Sequence, residues 1–173
     1  MKTQLVIFRI IGFLLLPIAA LFSVLAIVSL FAGLANPKAL LSAFLFGSFV
    51  IYVFSSLRFL SGSIDTGRPA KPSLRDWIRV NAFVSIAMCV MFLIDISNLF
   101  LASDESLKEI GRQYLATVPN VPPMLNVALI VKVLKLTAWF MGGLSILLLV
   151  HIFLNFRLLK RYRHLFQSPA DGI

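Results

Sequence analysis

The chain has 173 residues, of which 60% are hydrophobic and 13% are charged, and its formal net charge is +9 at pH 7. Soluble domains carry about a quarter charged residues, so this composition excludes an ordinary soluble globular protein. The positive charge does not indicate a nucleic-acid partner, because Lys and Arg stand at the ends of apolar stretches and do not alternate with aromatic residues on a polar face. These cations are interpreted as membrane topology signals.

Four long apolar stretches dominate the sequence, at residues 5–34, 39–60, 80–102 and 136–156. Each reaches the about 20 residues that a helix needs to cross a bilayer core of about 30 Å. The connections between them are too short to form a soluble domain with its own core. The sequence therefore predicts an all-α polytopic membrane protein, with four transmembrane helices in an antiparallel bundle that forms one domain over residues 1–173.

The first stretch is expected to be a retained membrane span and not a cleaved secretory signal. Its apolar run from Ile10 to Leu34 is longer than the about 7–15 residues of a signal core. Asn36 and Pro37 then mark a tight turn into the second stretch. The first two spans are therefore predicted to be antiparallel neighbours.

The connection between the second and third spans, residues 61–72, is rich in Gly, Ser and Pro and is predicted to be irregular. Ser73 follows it and is a good N-cap residue. Asp76 would then stand in the first turn, where the helix dipole favours a negative charge. The third helix is therefore predicted to begin directly after Ser73.

The connection between the third and fourth spans is the largest segment predicted to lie outside the bilayer. In residues 103–115, one helical face collects the apolar residues Leu107, Ile110, Tyr114 and Leu115. This pattern predicts a short amphipathic helix on the outer surface, which Pro119 should end. A further helix from residue 124 is expected to run into the fourth span, either bending near its lysines or projecting beyond the membrane.

Orientation follows from the distribution of cations around the spans. The N-terminus, residues 58–79 and the C-terminal tail 157–173 hold eleven Lys and Arg residues, and the other two connections hold five. The positive-inside rule therefore predicts a multi-pass protein of the cell membrane with both termini in the cytoplasm. Four cations of the basic tail are expected to contact anionic lipid: Arg157, Lys160, Arg161 and Arg163.

Asp95 is the most informative polar residue of the predicted spans. It lies about 10 Å inward from the outer end of the third span, where an unpaired carboxylate is costly. Lys132 and Lys135 near the fourth span, together with Asn98, are its predicted partners. Three roles remain open for Asp95: a structural ion pair between the third and fourth spans, a proton or cation relay, and a neutral hydrogen-bonded carboxyl group.

His151 is the second candidate of this intramembrane polar site. A bis-histidine haem would need another histidine at the same depth, and His164 lies in the basic tail. A hydrogen-bonded or interfacial histidine, with Asn155 one turn further on, is the favoured interpretation. The single Cys89 excludes an intrachain disulfide, and neither haem, metal nor another cofactor is expected.

The sequence displays neither a nucleophile–base pair nor a phosphate-binding loop, so an enzymatic function is unsupported and a membrane enzyme ranks last. The leading hypothesis is a non-enzymatic interaction, assembly or accessory subunit, whose partner is another membrane protein or a second copy of the chain. The alternative is a small oligomeric transporter or channel. It would use Asp95 and a polar face of the second span formed by Ser48, Tyr52 and Ser55.

Overall fold

The computed structural model describes residues 2–118, 122 and 125–166. Every regular element in these residues is helical, as the all-α prediction requires. The α-helices are α1 (Lys2–Ala35), α2 (Lys38–Phe59), α3 (Pro72–Leu101), α4 (Asp104–Thr117) and α5 (Val127–Arg161). A π-helical turn at Leu60–Ile64 extends α2, and a 3₁₀ turn at Arg163–Phe166 follows α5.

Four of these helices, α1, α2, α3 and α5, are long and apolar enough to cross a membrane. Their apolar windows have a mean hydropathy of 2.0 to 2.7, yet only 17% to 28% of the residues in those windows are buried. Large apolar side chains exposed on most sides of a helix are stable in lipid and unfavourable in water. The structure therefore supports a multi-pass membrane protein.

Each long helix coincides with a predicted span, but α3 and α5 extend well into polar sequence. Backbone hydrogen bonding continues where hydropathy has already fallen, so the apolar stretch marks the membrane crossing and not the helix ends. α5 is one helix through Lys132 and Lys135, so the helix expected before the fourth span runs into it. The start expected at residue 124 lies outside the described residues.

The prediction that Ser73 caps α3 is wrong, because the helix already begins at Pro72. Proline suits the first helical position, where its missing N–H would have had no partner in the helix. The Leu74 N–H donates to the Lys71 carbonyl at 3.0 Å. The connection between α2 and α3 begins with the π-helical turn and is irregular after it. Gly67 lies in the irregular part, and its φ of 67° is a conformation that favours glycine.

The described chain divides into two compact units. The first contains the residues up to Met88 and those from Leu147 onward, and the second contains Cys89–Ile146. In the first unit α1 and α2 form a helical hairpin, and α1 buries residues three or four positions apart: Phe8, Ile11, Leu15, Ala19 and Phe22. The expectation of a single domain stays a prediction.

In the second unit, α4 begins after Ser103, whose hydroxyl accepts a hydrogen bond from the Ser106 N–H at 3.2 Å. Leu107 and Gly111 are buried, whereas Tyr114 is exposed. A Cβ on Gly111 would lie 3.1 Å from a methyl group of Val127, so glycine permits this close approach. The position of α4 on a membrane surface stays a prediction.

Candidate functional site

The first unit contains a buried cluster of four polar side chains, two from α2 and two from α5. The Tyr52 hydroxyl lies 2.8 Å from Nδ1 of His151. Asn155 Nδ2 donates to Tyr52 Oη at 3.3 Å and to Ser56 Oγ at 2.9 Å. All four residues have an exposed fraction of 0%. We call Tyr52, Ser56, His151 and Asn155 the buried polar cluster.

Helical spacing explains why these side chains meet. Tyr52 and Ser56 are one turn apart on α2, and His151 and Asn155 are one turn apart on α5, so each pair shares a helix face. From α1, the Phe8 ring stacks on the His151 ring at a centroid distance of 4.4 Å and an interplanar angle of 7°. The buried polar cluster therefore lies between α2 and α5, and the Phe8 ring of α1 covers it.

Gly12 lies one turn after Phe8 on α1 and is close to the Nε2 atom of the imidazole. A Cβ at this position would be 3.3 Å from His151 Nε2 and 3.2 Å from Leu57 Cδ2. Both distances are shorter than ordinary van der Waals contacts. Glycine at position 12 therefore allows α1 to pack directly over His151.

Hydrogen-bond roles in the buried polar cluster follow from the donors available. Because Tyr52 Oη accepts from Asn155, its own proton can point to His151 Nδ1, which favours the neutral tautomer protonated on Nε2. Among the described residues, His151 Nε2 and Asn155 Oδ1 have no hydrogen-bond partner. The cluster therefore joins α2 to α5, and it retains one donor and one acceptor without a partner.

The favoured sequence interpretation of His151 as a hydrogen-bonded histidine agrees with this geometry, but its direct partner is Tyr52 and not Asn155. The three residues of the predicted polar face lie in different environments. Ser48 is buried, Tyr52 belongs to the buried polar cluster, and Ser55 lines a separate cavity of 770 Å³. Sequence reasoning did not place Ser56 in this face, although its i, i+4 spacing from Tyr52 is the signal that identifies it.

Asp95 belongs to the second unit and is exposed on α3. It lines a groove of 200 Å³ between α3 and α5. The other residues of this groove are mostly apolar: Phe92, Ile96, Leu99, Leu134, Thr137, Ala138 and Met141. We call this surface the Asp95 groove.

The expected ion pair between Asp95 and a lysine is not formed. Lys135 Nζ lies 3.3 Å from Asp104 Oδ1, at the start of α4. Lys132 and Asn98 are exposed, and no Lys or Arg among residues 2–118 and 125–166 forms an ion pair with Asp95. An exposed pair such as Lys135 with Asp104 loses little hydration, which favours it over a pair inside an apolar groove.

The exposed side of α4 carries a separate ionic network. Arg112 lies 2.9 Å from Glu105 and 2.9 Å from Glu109, and Lys108 lies 3.5 Å from Glu105. The hydrogen bond from Arg112 and the nearby positive charges lower the pKa of the Glu105 carboxyl. The Glu105 carboxyl therefore stays ionised at neutral pH, and the small contribution of its ion pairs to stability is lost only as the pH falls through that lowered pKa.

Comparison of the chain with protein-family models, curated proteins and solved structures finds no match. Among the residues that the structure describes, three or more His, Cys, Asp or Glu side chains do not come together as a metal site. The function is therefore argued from the buried polar cluster, the Asp95 groove and the charged surfaces themselves.

Proposed function

We propose that this chain is a non-enzymatic assembly subunit of the cell membrane, and that the Asp95 groove binds a transmembrane helix of a partner protein. The observation that supports this proposal is an exposed carboxylate inside an apolar groove of a membrane-spanning helix. The side chains of the buried polar cluster, by contrast, bond to one another and are fully buried. Asp95 is directed outward and is available to another molecule.

The depth of Asp95 supports an intramembrane role. The Phe100 ring lies 5.2 Å from the Trp139 ring in the same unit, and Trp side chains prefer the membrane–water interface. Asp95 precedes Phe100 by a rise of about 7.5 Å along α3. The carboxylate is therefore expected to lie deeper than the interfacial layer, at the edge of the hydrocarbon core.

Energetics favour a cationic partner for the Asp95 groove. An Asp in a membrane helix costs about 3 kcal/mol at the bilayer centre on translocon-insertion scales, and less at the edge of the hydrocarbon core where Asp95 is expected. A Lys or Arg on another transmembrane helix at the same depth offsets this cost by pairing with the carboxylate. Ala138 is a small apolar residue of the same groove, which favours close approach of that helix. The proposed occupant is therefore a partner helix that carries one cation.

We also propose how the helices are arranged in the membrane. α1, α2, α3 and α5 form an antiparallel bundle, α4 lies on the outer surface, and both termini and the 61–79 segment are cytoplasmic. The distribution of Lys and Arg supports this orientation.

Cysteine labelling tests the orientation in a Cys89→Ala background. A cysteine introduced at Ser106 is expected to react with a membrane-impermeant maleimide in intact cells, because α4 would face outward. A cysteine at Thr66 should react only after the cells are permeabilised. The reverse labelling pattern would show that the orientation is inverted.

Native electrophoresis of gently solubilised membranes tests the assembly role. The wild-type chain is expected to migrate in a complex larger than the purified chain, and Asp95→Asn should release it from that complex. Asp104→Asn is the matched control, because it makes the same change at an acid whose partner is Lys135. An unchanged complex for Asp95→Asn would contradict the proposal. Asp95-dependent proton or cation flux through vesicles would instead favour the transporter alternative.

A further inference from the structure

A second groove in the first unit is strongly basic. It has a volume of 590 Å³ and lies between the start of α3 and the end of α5. Its lining combines four cations with three apolar residues: Arg75, Arg79, Lys160, Arg163, Phe83, Phe156 and Leu159. We call this surface the basic groove.

The lining of the basic groove is polarised along the helices. Arg75, Arg79 and Phe83 are one turn apart on α3, so they share a face and span about 12 Å. At the end of α5 the order is reversed, since Phe156 comes before Lys160, and Arg163 follows in the 3₁₀ turn. The Phe83 and Phe156 rings lie 5.7 Å apart and close the apolar end. One end of the groove is therefore cationic and the other is apolar.

Charge within the basic groove is poorly neutralised by the residues that the structure describes. Arg75 Nε contacts the Asp76 carboxylate at 3.5 Å, and this is the single ion pair that the described residues offer to its four cations. Two other basic residues of α5 are engaged elsewhere, with Arg157 over the Phe153 ring at 4.6 Å and Arg161 over the Tyr162 ring at 5.8 Å. The unbalanced cations indicate that an anion completes the basic groove.

We propose that the basic groove binds one anionic phospholipid. Its phosphate would lie between the α3 arginines on one side and Lys160 and Arg163 on the other, with an acyl chain along Phe83 and Phe156. A free phosphate would use the cationic end alone, whereas a phospholipid matches both ends. The site differs from the lipid contact expected from the tail sequence, because Arg75 and Arg79 join Lys160 and Arg163 while Arg157 and Arg161 do not line it. It is independent of the proposed docking at Asp95.

Native mass spectrometry of the full chain tests this site. The protein is purified in detergent and titrated with phosphatidylglycerol or with phosphatidylcholine, and bound lipid is counted. The wild-type chain is expected to retain one phosphatidylglycerol in preference to phosphatidylcholine. Arg79→Gln with Lys160→Gln should weaken phosphatidylglycerol binding about tenfold, since each cation near an anionic lipid contributes to affinity.

The matched control is Arg157→Gln with Arg161→Gln, which removes the same net charge outside the basic groove. This control should retain phosphatidylglycerol like the wild type, and circular dichroism should show that both double variants keep their helical content. Equal losses in the two double variants would contradict a specific site. Glycerol phosphate, which lacks acyl chains, should not displace the lipid at equal concentration. Full displacement would show a soluble phosphate site and overturn the lipid proposal.

Discussion

Gly12→Val is expected to destabilise the protein by about 2–3 kcal/mol, because it places a β-branched side chain where packing leaves no room. A Cβ alone would lie 3.3 Å from His151 Nε2 and 3.2 Å from Leu57. The γ-methyl groups of valine extend further and must displace α1 from the imidazole. Such a displacement also disturbs the stacking of Phe8 on His151 and the hydrogen bond to Tyr52.

Gly47→Val is the matched control for this prediction. It makes the same change in helix propensity within a predicted membrane helix, but a Cβ on Gly47 meets nothing within 4 Å. Thermal unfolding in one detergent should show a clear loss of stability for Gly12→Val and little change for Gly47→Val. Equal stabilities of the two variants would show that α1 does not pack tightly over the buried polar cluster.

The membrane helices are the part of the fold that the sequence predicts well. Long apolar runs have few alternatives to helical structure, since the bilayer requires every backbone polar group to be hydrogen-bonded within the chain. The ends of α3 and α5 were harder to predict, because residues such as Arg75 and Lys160 continue a helix without contributing to hydropathy. Ser73 illustrates this limit, since a good capping residue was preceded by a proline that starts the helix.

The buried polar cluster could be predicted only in part. Sequence reasoning singled out His151, Asn155 and Tyr52, but it assigned them to two different features. Their meeting depends on how α2 and α5 are rotated and shifted along each other. That register is determined by packing across the helices, with Gly12 and Phe8 contributing from α1, and single-helix periodicity carries no information about it.

Asp95 shows the same limit for charged residues. Its depth in α3 follows from the sequence. Whether Lys135 pairs with Asp95 or with Asp104 depends on where α4 begins. The pair with Asp104 forms at the exposed start of α4, at a distance of 3.3 Å. Asp95 is therefore left in an apolar groove without an ion-pair partner among the described residues.

Asp95→Leu is expected to preserve the stability of the isolated chain and to abolish binding of a partner helix. The carboxylate forms no ion pair among the described residues, so its removal breaks no ion pair there, and leucine suits the surrounding apolar side chains. A substitution within the buried polar cluster should behave differently, since it leaves buried polar groups without partners and weakens folding itself.

Energy transfer between the labelled chain and a synthetic transmembrane helix tests the Asp95 proposal most directly. The helix is a leucine-rich peptide with one lysine at the depth of Asp95, and both components are reconstituted in the same lipid nanodiscs. The lysine helix is expected to bind the wild-type chain and the Asp104→Asn control, but not Asp95→Leu, and an all-leucine helix should bind none of them. Equal binding of the lysine helix to the wild type and to Asp95→Leu would contradict the assignment of Asp95 as the docking residue.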